Sequence, residues 1–337
     1  MQKCSALLCL LLLWDCYGQP PTAFVVVNPH GGAILFSHNC DLKTQPASLT
    51  KMMTLFITFR LLKKKVISLD SMIKISPTAA AQKPCKLGLK ARDAVSVRNA
   101  ILAMVTKSAN DAAVALAEYL AGGSMPRFVA LMNREAKRLK MTSTVFRNPS
   151  GWKNPEQLTT ARDMAKLSRA LMMECPNYYS FFSTKRFYFK KKWYENHNKL
   201  LGIRNGIIVD GIKTGFLTAS GYNVAISARH GKDKLIVVIL GEKNARQRDF
   251  HVTALLREGF IKLSRNKKRL RQHIFHAYQS RNVRNTSARP SMSEAIMQNT
   301  LRSSHASKCD RIVKSRLFEY IVEPQKFTEN TNMEKQR

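Results

Sequence analysis

The chain has 337 residues, enough for one large or two modest domains whose interior can keep water away from a reacting group. Its 56 lysines and arginines against 22 acids give a formal charge of +34. Such a balance points to nucleic acid in a cytoplasmic protein, yet no stretch of the sequence resembles a nucleic-acid-binding module, and nucleic acid is excluded as a partner.

The first segment is read as targeting. Lys3 is followed by an apolar run from Ala6 to Trp14 that is too short to cross a bilayer as a mature helix. Residues 1–18 therefore read as a secretory signal peptide with Gly18 at its small-residue end. Export to the periplasm, with association at the outer face of the inner membrane, sets the positive charge against anionic lipid and wall polymers. Cleavage removes Cys4, Cys9 and Cys16. Cys40, Cys85, Cys175 and Cys309 then remain without paired spacing, which argues against a metal site and reads as ordinary buried thiols.

Two apolar, β-prone runs follow, Ala23 to Asn28 and Ala33 to Ser37, separated by the hairpin signal Pro29-His30-Gly31-Gly32. From Ser48 the pattern becomes helical, with Met52, Leu55, Phe56, Phe59 and Leu62 on one face and Ser48 itself placed to use the free N–H groups of the helix start. A second helix over Val97 to Val105 stops near Ser108. A third runs through Ala112, Ala113, Leu116 and Leu120 to Gly122-Gly123, so Ser108 and Asn110 fall at an interhelix junction. Beyond a helical stretch from Ala161 to Met172, strands are expected at Ile207 to Lys213, Tyr222 to Arg229 and Lys234 to Leu240, as an antiparallel meander. Leu255, Leu256 and Phe260 mark a closing amphipathic helix. Strands at both ends with helices between give an α+β domain over residues 22–263.

Past Leu263 the run Arg265-Asn266-Lys267-Lys268-Arg269-Leu270-Arg271 opens a basic, partly disordered tail, residues 264–337. Its apolar patches, Leu270 to Tyr278 and Ile312 to Val322, can lie on a membrane surface.

Three short motifs carry chemistry. Ser48 and Lys51, three apart, share a helix face, and a buried lysine can take the proton of a serine hydroxyl because burial lowers its pKa. Lys213 nearby pushes Lys51 the same way. Ser108 and Asn110 can relay a proton and hydrogen-bond a substrate amide. Lys213 and Thr214 can hold a carboxylate, and Gly215 lets an extended substrate approach the strand edge. Each motif alone has a plainer reading as a cap, a solvated lysine or a strand end. The ordered set is far less probable by chance.

Together with their surroundings, Pro46-Ala47-Ser48-Leu49-Thr50-Lys51-Met52, Thr106-Lys107-Ser108-Ala109-Asn110-Asp111-Ala112 and Val209-Asp210-Gly211-Ile212-Lys213-Thr214-Gly215, the motifs resemble the D-alanyl-D-alanine carboxypeptidases, low-molecular-mass penicillin-binding proteins of the S11 serine peptidase family. The resemblance covers roughly Ala23 to Leu263. It implies a β-lactamase/DD-peptidase-like fold, a five-stranded antiparallel sheet flanked by helices. It also implies a peptidoglycan stem peptide as substrate, β-lactams as covalent inhibitors, and neither metal nor cofactor. Ser48 is then the nucleophile, Lys51 the base and Ser108 the proton relay. Asn110, Lys213, Thr214 and Gly215 bind substrate, and the backbone N–H groups of Ser48 and Phe216 form the oxyanion hole. Two rivals are a class A β-lactamase and a non-catalytic wall-binding protein. Against the first, the segment Asn154 to Thr160 carries Glu156 in the wrong frame for a deacylating glutamate. Against the second, every motif residue is present.

Overall fold

A computed structural model describes residues 22–204 and 206–283. The signal segment, Cys309 and the patch from Ile312 to Val322 lie outside them. The chain divides after Lys267 into two units, the first of which holds the sheet, its flanking helices and the reactive cleft.

In chain order the strands are β1 (Ala23–Val27), β2 (Ile34–His38), β3 (Met72–Lys74), β4 (Ala94–Ser96), β5 (Arg186–Phe189), β6 (Lys192–Glu195), β7 (Gly202–Arg204), β8 (Ile207–Leu217), β9 (Gly221–His230) and β10 (Asp233–Glu242). The helices are α1 (Lys51–Lys63), α2 (Pro77–Ala80), α3 (Val97–Thr106), α4 (Asn110–Leu120), α5 (Met125–Arg138), α6 (Ala161–Glu174), α7 (Pro176–Tyr179) and α8 (Ala245–Val283). The main sheet has the order β2-β1-β10-β9-β8-β7 with every pairing antiparallel. Five of these strands form the expected sheet, and β7 adds a three-residue edge.

The central strands are apolar at consecutive positions because both faces of the sheet are covered. Side chains alternate across a strand, so β1 sends Val25 and Val27 to the larger core with the helices and Phe24 and Val26 to a second core. On that second face Val237 and Ile239 of β10 meet Val252, Leu255, Leu256 and Phe260 of α8, the expected closing helix. α8 does not stop at Leu263. It continues to Val283, through the backbone of the Leu270 to Tyr278 patch.

Helix α1 is buried on all sides over its first nine residues: Met52, Met53, Leu55, Phe56, Ile57 and Phe59 are buried together with Thr54 and Thr58. A helix of that kind belongs inside a domain, and its first residue, Lys51, is carried in with it. Besides several short elements, α5 and the β5–β6 hairpin went unread in the sequence. α5 presents Phe128, Met132 and Ala136 to the core, while Glu135 on its inner side holds Arg60 of α1 and Arg138. β5 and β6 form a separate hairpin turned at Lys190 and Lys191, both in the left-handed region.

Candidate active site

The reactive corner starts from a 3-10 turn, Ala47–Thr50, that leads into α1. Ser48 lies inside this turn and caps nothing, contrary to the sequence expectation, since the capping position falls on Pro46 with no side-chain bond. The turn is braced by the segment after α5. Gly151, at φ +81°, packs so closely that a Cβ there would lie 1.8 Å from the Ala47 carbonyl oxygen. This contact also delivers the Ser150 carbonyl to Lys51.

Lys51 is fully buried, and its Nζ lies 3.1 Å from Ser48 Oγ, 2.7 Å from Asn110 Oδ1 and 2.5 Å from the Ser150 carbonyl oxygen. Burial holds its pKa well below the usual lysine value, and the charge of Lys213 pushes it further down. The geometry then fixes where the lone pair points. Asn110 Nδ2 donates to the Lys83 carbonyl, so Oδ1 is the end that faces Lys51. A neutral amine has two N–H bonds, and Asn110 Oδ1 and the Ser150 carbonyl accept both of them. The lone pair is left for the hydroxyl of Ser48.

Lys107, Ser108 and Ala109 span the short gap between α3 and α4, and Asn110 is the first residue of α4. Ser108 takes a left-handed conformation, φ +58°, and its buried Oγ has no hydrogen-bond partner among the described residues. Asp111, next along, is wholly buried and accepts hydrogen bonds from the backbone N–H groups of Leu87, Gly88 and Leu89 at 2.9, 2.8 and 3.0 Å. It fixes the loop whose Pro84 and Cys85 form one wall of the cleft. Cys85 is therefore exposed, whereas Cys40 and Cys175 are buried as expected and all three are free.

The third motif lies within β8 and not at its end, because the strand runs four residues beyond Lys213 to Leu217. β8 pairs with β9 throughout, Lys213 with Ala225 and Gly215 with Asn223, but β7 covers only Ile207 to Val209. Its outer edge is thus open beside Ser48. Gly215 permits the approach: a Cβ there would lie 3.1 Å from the Ser48 amide nitrogen. Lys213 is buried behind the strand and donates to the Thr214 carbonyl at 2.8 Å. Burial, with a smaller push from Arg248, brings its pKa down to about 7.

Ser48, Ser108, Asn110, Thr214, Gly215 and Phe216 all line one cleft of about 570 Å³, while Lys51 and Lys213 stand behind its wall. Sequence reading missed Arg248, His197 and Lys199 on the same cleft. Arg248 lies on the first turn of α8, nearly buried and held by Asp249 Oδ1 at 2.9 and 2.7 Å. Burial, then Lys213, brings the His197 imidazole down to about 4, so it stays neutral near pH 7. The one sequence hint was the polar triplet Asn196-His197-Asn198, whose asparagines are buried and bonded to backbone. Glu156 lies elsewhere: it pairs with Arg147 at 3.0 Å, is 68% exposed, and does not line the cleft. Among the described residues no three His, Cys, Asp or Glu side chains converge on a metal position.

Residues 20–244 match the D-alanyl-D-alanine carboxypeptidase family, peptidase S11. D-alanyl-D-alanine carboxypeptidase DacC of Escherichia coli K12 is 40% identical over 244 residues, 71% of this chain and 60% of the relative. DacF of Bacillus subtilis is 31% identical over 237 residues, 69% of this chain and 60% of its own. The chain thus spans about 60% of the length of these curated relatives. Among solved structures, penicillin binding protein 5 of Haemophilus influenzae superposes with a TM-score of 0.68 at 33% identity, over 72% of each chain. Penicillin-binding protein D2 of Listeria monocytogenes in its cefotaxime-bound form gives 0.64 at 30% identity, over 72% of this chain and all of that one. Motifs, fold and relatives agree: the chain belongs to the D-alanyl-D-alanine carboxypeptidase family, peptidase S11.

Proposed function

We propose that the protein is a serine-type D-Ala-D-Ala carboxypeptidase that removes the terminal D-alanine from peptidoglycan stem peptides, and that β-lactams acylate the same serine. The observation that carries this reading is the buried Lys51 amine 3.1 Å from Ser48 Oγ, with its other acceptors arranged to aim the lone pair at the hydroxyl.

In this reading Lys51 takes the proton as Ser48 Oγ attacks the carbonyl carbon between the two D-alanines. The negative charge that develops on the carbonyl oxygen is met by the N–H groups of Ser48 and Phe216, worth about 3 kcal/mol per donor in comparable sites. The Ser108 hydroxyl gives its proton to the departing amine and takes back the one that Lys51 removed from Ser48, which leaves Lys51 neutral again, and D-alanine leaves with its carboxylate held by Lys213, Thr214 and Arg248. Asn110 retains one Nδ2 hydrogen for the acyl side, since the other goes to Lys83. Water then attacks the ester and restores Ser48. A β-lactam forms the same ester, but among the described residues no glutamate lines the cleft to speed its hydrolysis, and Glu156 points to solvent. Inhibition, not resistance, follows. The substrate places the enzyme on the periplasmic side, with the basic tail lying against the anionic outer face of the inner membrane.

Labelled penicillin followed by peptide mass spectrometry is the test. The adduct should sit on the peptide holding Ser48 and vanish in Ser48→Ala, with D-alanine release from a pentapeptide lost in parallel. Equal labelling of the variant would refute the assignment.

A further inference from the structure

A second hollow of about 320 Å³ adjoins the reactive cleft, and His197 lines both. Its walls come from segments that the chemistry above does not use, the loop Lys86–Gly88 and the hairpin of β5 and β6. Tyr194 of β6 donates its hydroxyl to the Leu87 carbonyl at 3.3 Å and ties the two walls together. The loop is itself clamped by Asp111, so the hollow is braced from both sides.

The hairpin's outer surface is aromatic and cationic. Tyr188 and Trp193 are each 54% exposed with ring centroids 5.0 Å apart, and the Arg186 guanidinium lies 4.5 Å over the Trp193 ring. Lys192 stands 5.7 Å over the Tyr194 ring. Lys86, Lys107 and Lys192 line the hollow against one acid, Glu195. None of the three lysines is in an ion pair among the described residues. Cations held beside low-dielectric aromatic walls raise the local concentration of a negative group.

We propose that this hollow is a second anion subsite, taking a carboxylate that the peptide substrate carries outside its two terminal D-alanines. The proposal rests on the carboxypeptidase reading and names a determinant of its specificity. Such a carboxylate comes either from the acyl arm ahead of the scissile bond or from the side chain of a leaving residue larger than D-alanine. The electrostatic attraction is the same for both. Lys107 precedes Ser108 and His197 is influenced by Lys213, so the hollow meets the cleft near the groups that handle the leaving residue.

The test uses the full chain and three peptides: neutral diacetyl-Lys-D-Ala-D-Ala, the same tripeptide extended at its amino end by γ-linked D-glutamate, and diacetyl-Lys-D-Ala-D-Glu. One acidic peptide should be cleaved with a kcat/KM about fivefold above the neutral one, the gain expected of a few partly exposed charge pairs, and added salt should reduce that gain. The peptide that shows it identifies the source of the carboxylate. The double variant Lys86→Gln/Lys192→Gln should lose the preference while keeping neutral-peptide turnover and the rate of penicillin acylation. No preference for either acidic peptide, or a preference that survives the double variant, would overturn the subsite alone. Failure of the unaltered protein to release D-alanine from any peptide would overturn the carboxypeptidase reading and this inference with it.

Discussion

At Lys51 the decisive quantity is the number of acceptors around a buried amine. Two fixed carbonyl-type oxygens accept two of its hydrogens in either protonation state, so the Ser48 hydroxyl faces the third position: an N–H in the charged form and the lone pair in the neutral form that the lowered pKa favours. Arginine cannot give up a proton near neutral pH, so Lys51→Arg should slow penicillin acylation by about 10²–10⁴-fold, the usual worth of a positioned base. At Lys213 the charge itself matters, so Lys213→Arg should retain measurable turnover. Similar losses in both variants would refute the division of roles. The pKa of about 7 at Lys213 adds a pH signature. In the free enzyme its charge fades above that value, so kcat/KM should fall on the alkaline side, while kcat holds because a bound carboxylate restores the proton. Lys213→Arg should abolish the alkaline fall. For stability the sign is set by proton binding: between about 7 and the ordinary lysine value of 10.5 the folded state holds fewer protons than the unfolded one. The destabilisation by Lys213 is therefore complete below pH 7 and is relieved as pH rises through that window. Lys213→Met should abolish turnover and raise the melting temperature at pH 7, by about 3 °C for each kcal/mol regained. An unchanged melting temperature would count against this account.

Among the elements, α4 shows how two adjacent residues serve two ends. Its first residue orients Lys51, and its second, Asp111, holds the loop that walls both the cleft and the neighbouring hollow. Asp111→Ala would leave three loop amides unpaired, a loss of about 3 kcal/mol, with faster proteolysis at residues 83–89 as the visible sign. Intact protease resistance there would show that the loop is held by other contacts. The long apolar runs and the period of α3, α4 and α6 were legible because burial imposes repetition on the chain. α5 carries the same stripe, Phe128, Met132 and Ala136, and was readable from its spacing. The hairpin of β5 and β6 was obscured by lysines at its turn and by aromatic residues that face outward, which break the alternation a half-buried strand displays.

For the whole molecule the proposed division between a catalytic core and a localising basic tail can be tested by truncation. A chain ending at Lys267 keeps every cleft residue and the side chains of α8 that cover the sheet. It should retain its rate on a soluble pentapeptide and lose salt-sensitive binding to anionic vesicles, since each basic residue near such a surface is worth about 1 kcal/mol. Unchanged vesicle binding would refute the localising role. The sequence by itself determined the α+β class, the antiparallel meander with its covering helix and the ordered motifs around Ser48, Ser108 and Lys213, because helix and strand periods and short motifs are local properties of the chain; the sheet flanked by helices came with the family resemblance those motifs carry. Only the tertiary structure decided that Ser48 lies within a 3-10 turn, that Cys85 faces the cleft, and that Arg248 and His197 join it from segments far along the sequence. Those facts depend on which surfaces meet. So does the pKa of Lys51, set by burial at the start of a helix enclosed in the core and by a second lysine 162 positions away that β8 brings behind the same wall.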